Sequence, residues 1–85
     1  MSNDDFEQFA TCWMQAHEIV GRKPTATAIE WSFEVLRDQS LGDIKKALIA
    51  NARDPENGRF APTPAAVIGQ INIMNQAGES AYEYL

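Results

Sequence analysis

Few side chains in this 85-residue sequence could take part in a reaction. His17 is its single histidine and Cys12 its single cysteine. Five residues apart, they stand about 140° apart around a helix that turns roughly 100° per residue, so they can neither share a metal ion nor form a nucleophile–base pair on that helix. His17 falls between Phe6 and Ala10 on the apolar face and is expected to be a half-buried structural residue; Cys12 is expected to be an inert small apolar one. The carboxylate pairs Asp4–Asp5 and Glu30–Glu34 sit at a helix start or on an exposed face, where the helix dipole and solvation account for them. The five glycines are scattered, so no glycine-rich phosphate loop is present. With no converging nucleophile, base or ligand set, neither catalysis, nor a cofactor, nor a metal is expected.

Residues suited to binding are more numerous. Trp31 lies about 160° around its helix from Phe33, alongside Val35 and Ala28, which gives that helix two apolar stripes. The first expectation is a central helix packed on both sides; the alternative makes Trp31 an anchor for a partner, since tryptophan often dominates interfaces. Ile49 and Ile73 also fall off the main stripes of their helices. Lys45, Lys46, Arg53 and Arg59 form the densest basic group, interrupted by Asp43, Asp54 and Glu56. It is expected to be a solvated face, with a patch for an acidic protein or a phosphate backbone as the alternative. Phe60, Tyr82 and Tyr84 complete the candidates for partner contact.

Charge favours a protein partner over nucleic acid, with solubility alone as the equal alternative for the acidic ends. The net charge is −5, residues 1–20 carry four acids and no base, and all seven bases lie between Arg22 and Arg59. Non-specific binding to nucleic acid depends on lysine and arginine neutralising phosphates, and here they are diluted by acids. A homodimer is also allowed, because a single core in so short a chain is marginal.

Four stretches show helical periodicity and none alternates as a half-buried strand would, so the expected class is all-α, a compact bundle of four short helices. The first runs from about Asp4 to Val20, capped by Ser2 or Asn3, with Phe6, Phe9, Ala10, Trp13, His17 and Val20 inward and Gly21 ending it. The second opens at a Thr27–Glu30 capping box, or earlier at Thr25, and buries Ile29, Phe33 and Leu36. The third opens at Ser40 with Asp43 at its third position and buries Leu41, Ile44, Ala47 and Leu48. Pro55 and Asn57–Gly58 stop it. Thr63–Pro64 reads as a cap followed by a first-turn proline and launches the fourth, with Val67, Ile68, Ile71 and Met74 inward. The segment ENGRFAPTP, residues 56–64, is expected to be a rigid strut, with Phe60 as an apolar plug and Pro62 holding Ala61 extended.

One domain is expected over residues 1–76, followed by a short tail, 77–85, either flexible or forming one more helical turn. No stretch approaches the roughly 20 apolar residues of a membrane span, and the start carries acids where a secretory signal carries bases, so a cytoplasmic place is expected.

The order of these features resembles the small phage replication proteins of the helicase loader/inhibitor family. The likeness runs from about Phe6 to Ile71 through an aromatic first helix, AIEWSFEVLRD, LGDIKKALIANARD and GRFAPTPAAVI, with RFAPTPAAVI its most telling piece. It implies a phage or prophage adaptor without catalysis of its own, which binds a ring-shaped replicative helicase and either loads or inhibits it. Loaders of that kind continue past the helical domain, so binding or inhibition is the firmer implication. The reading opposed to it is a small DNA-binding or replisome-organising protein that uses the face of Lys45, Lys46, Arg53 and Arg59.

Overall fold

A computed structural model describes residues 1–83, and the side-chain surroundings of residues 1–75. A short 3-10 turn, Asn3–Asp5, leads into α1 (Phe6–Glu18), followed by α2 (Ala26–Val35), α3 (Leu41–Arg53) and α4 (Pro64–Glu83). Among the described residues there is no strand, and the all-α bundle is what the apolar spacing dictates. α1 packs against α2 and α3, and α3 packs against α4.

The helix ends follow local chemistry. Gly21 has φ of +74°, and around it the Arg22 N–H reaches the His17 carbonyl (3.0 Å) while the Gly21 N–H reaches that of Glu18 (3.0 Å). This is a Schellman stop, whose left-handed residue is cheapest as glycine. α2 is capped by Thr25, whose hydroxyl accepts from the Ala28 N–H at 3.1 Å, so the cap lies two residues before the Thr27–Glu30 box. Pro24 supplies the reason: it holds the chain extended just upstream, and Thr25 is the first residue beyond it able to cap. Ser40 and Thr63 cap α3 and α4 as their positions suggest, accepting from the Asp43 N–H at 3.1 Å and the Ala66 N–H at 3.2 Å. α4 then runs unbroken to Glu83, through most of the segment 77–85 expected as a tail.

The core is one cluster: Phe9 and Trp13 from α1, Ile29, Phe33 and Leu36 from α2 and its end, Ile44, Ala47 and Leu48 from α3, Val67 and Ile71 from α4. Phe9 stacks on Trp13 (5.4 Å between centroids), and Phe6 and Phe9 meet Phe33 edge-on (5.1 and 5.4 Å). Such pairs add about 0.5 to 1.5 kcal/mol each beyond the area they bury. Phe33 is therefore the residue on which α1 and α2 close. Arg37 fastens the same corner from outside, with its guanidinium over the Phe33 ring (5.6 Å) and bonded to Asn3 (2.6 Å) and Glu34 (3.0 Å).

The segment 56–64 is a strut, but Phe60 is not its plug. Phe60 is 59% exposed, and the buried residue is Pro62, two positions on. The turn before it fixes this outcome. The Gly58 N–H bonds the Asp54 carbonyl (2.8 Å) and the Phe60 N–H bonds that of Asn57 (3.1 Å), which carries the Phe60 ring outward under the Arg59 guanidinium (4.9 Å).

Candidate functional site

The bundle buries one stripe of each helix and leaves six large apolar side chains exposed among the described residues: Ile19, Trp31, Val35, Ile49, Phe60 and Ile73. These define the surfaces available for binding.

Trp31 is 71% exposed, and Val35, one turn on, is 50% exposed, with Ala28 exposed beside them. The expectation of a central helix packed on both sides is thus overturned. α1 covers the Phe33 stripe of α2, and no described helix lies over the opposite stripe, because α3 docks on α1 and α4 rather than on α2. Trp31 instead walls an open hollow of about 590 Å³ together with Asn3, Phe6, Glu30, Phe33 and Glu34. Its base is aromatic, from Phe6 and Phe33, and its rim carries two exposed carboxylates one turn apart. Such a hollow suits an apolar side chain flanked by a basic or hydrogen-bonding group.

The basic candidates lie elsewhere. Lys45, Lys46 and Arg53 are exposed on α3, and the spacing 45, 49, 53 puts Ile49 between bases on one ridge. Arg59 is exposed in the following turn, stacked on Phe60. Among the described residues the ion pair formed is Arg37–Glu34, so these four bases are free to meet a partner. Trp31 and the four bases therefore belong to different faces and do not form one site. Tyr82 lies in α4 beyond the residues whose side-chain surroundings are described, and Tyr84 lies outside the described residues.

His17 and Cys12, weighed above as a nucleophile–base pair, are both half-buried on α1, and Asp54 is hydrogen-bonded within its own turn. His17 is half-buried; its Nδ1–H donates to the Trp13 carbonyl at 2.8 Å, and its ring rests 5.4 Å from that of Trp13. Cys12 is half-buried against the core. Asp54 has a lowered pKa because the N–H groups of Glu56 and Asn57 donate to its carboxylate, with the Asn57 side chain adding a bond at 3.1 Å. That fixes the 54–58 turn and spends the carboxylate on it. Among the described residues no three acids, histidines or cysteines gather to hold a metal, and no helix is long and apolar enough to cross a membrane.

No family model, curated protein or solved structure matches the chain.

Ile19, 68% exposed, is the residue that sequence reasoning missed. A signal was present, since Cys12, Ala16 and Ile19 recur at i, i+4 and i+7 off the main stripe of α1 and mark a second, narrower apolar line.

Proposed function

We propose that this chain is a non-catalytic protein-binding module of phage DNA replication, acting in the host cytoplasm, which engages a replicative helicase with Trp31 as its anchor. The observation that carries the reading is Trp31 itself, a 71% exposed indole beside Val35 on an ordered helix and over an aromatic hollow. Covering such a side chain contributes about 1.5 to 3 kcal/mol or more to association, and anchors of this type dominate interfaces. The choice of a helicase as partner is supported by the likeness of residues from about Phe6 to Ile71, RFAPTPAAVI above all, to the loader/inhibitor family.

The experiment is retention of a purified bacterial replicative helicase on the immobilised protein, beside a Trp31→Ala variant. Retention by the parent and its loss in the variant support the proposal. A parent that retains no helicase removes the helicase assignment, and equal retention by both moves the contact away from α2. A homodimer through the Trp31 stripe is a competing use of the same face; a monomeric mass in light scattering at high concentration eliminates it.

The second reading, DNA binding, is favoured by one observation: Lys45, Lys46 and Arg53 share the exposed side of α3, with Arg59 following. It requires affinity for duplex DNA that falls steeply with salt, by roughly one logarithmic unit of slope per phosphate contact. No measurable affinity for duplex DNA at low salt excludes it.

A further inference from the structure

We infer that the groove between α1 and α3 is a second docking site, and that its occupant is an acidic amphipathic helix of a partner protein. The site lies on other elements than Trp31, so it stands or falls separately from the helicase reading.

The groove, about 400 Å³, is lined by two helical lines with the same spacing: Cys12, Ala16 and Ile19 on α1, and Lys45, Leu48, Ile49 and Ala52 on α3. Leu48, which is buried, and half-buried Cys12 and Ala16 make its floor. Ile19 and Ile49, 68% and 57% exposed, make its ridges. This is the shape that receives a third helix through apolar residues at i, i+3 or i+4, and i+7. The apolar surface continues past the groove. Ile19, Ala52 and Phe60 share a small cavity with Pro62, and the other flank of Phe60 lines a hollow of about 370 Å³ with Ile73.

Charge selects the occupant. Lys45 stands on the lip, Lys46 and Arg53 extend the same side of α3, and Arg59 lies over the Phe60 ring. No carboxylate lines any of these three hollows, whereas Glu30 and Glu34 line the Trp31 hollow and Glu7 and Glu18 line the outer side of α1. In a chain of net charge −5, this makes the α3 side the electropositive one. Three acids oppose the four bases: half-buried Asp43, Asp54, whose carboxylate keeps its charge while it accepts from the N–H groups of Glu56 and Asn57, and exposed Glu56, so the bases outnumber the acids on this side by one. An apolar groove with cations along one wall fits a helix whose apolar stripe is flanked by glutamate or aspartate. A phosphate backbone would leave Ile19, Ile49 and Phe60 uncovered.

The test uses a synthetic helical peptide of about five turns with a leucine stripe and glutamate flanks, and the same peptide with lysine flanks. Binding is read by fluorescence anisotropy and mapped by amide chemical shifts. The glutamate peptide should bind at least about tenfold more tightly than the lysine peptide, with shifts at Ile19, Ile49 and Phe60. Ile49→Glu and the double variant Lys45→Gln/Arg53→Gln should each weaken it by about tenfold, while Trp31→Ala leaves it unchanged. Ile49 and the two bases are exposed, so the variants should fold, and circular dichroism verifies this. Equal affinity for the two peptides, absence of binding, or shifts confined to the Trp31 hollow would overturn the proposal. So would a self-associated mass that Ile49→Glu returns to monomer, which assigns the groove to a second copy. Duplex DNA that binds this face and displaces the peptide would assign it to nucleic acid.

Discussion

Trp31 and Phe33 lie two residues apart on α2, about 160° apart around that helix: Phe33 is 4% exposed and in edge contact with Phe6 and Phe9, while Trp31 is 71% exposed. One helix thus carries a core contact and an exposed indole. Phe33→Ala should cost about 3 to 5 kcal/mol, the usual loss for emptying a packed aromatic site. Trp31→Ala should change stability by no more than about 0.5 kcal/mol. Denaturant unfolding of the two variants makes the comparison; a large loss with Trp31→Ala would mean that the indole is covered in solution.

Two glycines should respond in opposite directions to the same methyl group. A Cβ on Gly58 would stand 2.5 Å from the Ala52 carbonyl oxygen and 2.6 Å from that of Asp54, and backbone cannot yield as a side chain does. Gly58→Ala should therefore cost about 1 to 3 kcal/mol. Gly69 lies within α4 with open space around its would-be Cβ, so Gly69→Ala should add about 1 kcal/mol through helix propensity. Melting temperatures of both variants check the pair.

The start of α2 can be located by mutation. Thr25→Ala should cost about 1 kcal/mol, because it orphans the Ala28 N–H that the hydroxyl serves at 3.1 Å. Thr27→Ala, at an exposed position, should cost less than about 0.5 kcal/mol. A reversed order would place the cap at Thr27.

The Asp54 turn should be acid-sensitive. Its carboxylate accepts from the Glu56 N–H at 2.9 Å and the Asn57 N–H at 3.3 Å, bonds that favour the charged form and lower the pKa in the folded chain. A group with a depressed folded pKa contributes stability above its unfolded pKa of about 3.9 and loses it as pH falls through the lower folded value. The parent should then exceed Asp54→Ala in melting temperature at neutral pH, and the gap should close as pH falls below about 4. A gap that persists unchanged in acid would remove the carboxylate from the account.

Much of the fold is legible in the residues taken one helix at a time. Phe9, Trp13, Ile29, Ile44, Val67 and Ile71 are buried because helical spacing puts each on its helix's inner stripe. Ser40 and Thr63 cap where a hydroxyl meets the first orphan N–H groups, and Gly21 stops α1 where a left-handed residue is needed. These are local matters, settled within a turn or two.

What only the tertiary structure decided is which helix covers which second stripe. The residues of α2 present Phe33 and Trp31 as two comparable apolar lines; α1 takes the first, and the packing of α3 onto α1 and α4 leaves the second in water. The same arrangement brings the Cys12–Ile19 line of α1 beside the Lys45–Ala52 line of α3 to form a groove that neither helix has alone. Periodicity says which side of a helix is apolar. The identity of the neighbour that buries it depends on contacts between residues far apart in the chain, and spacing along one helix does not carry them.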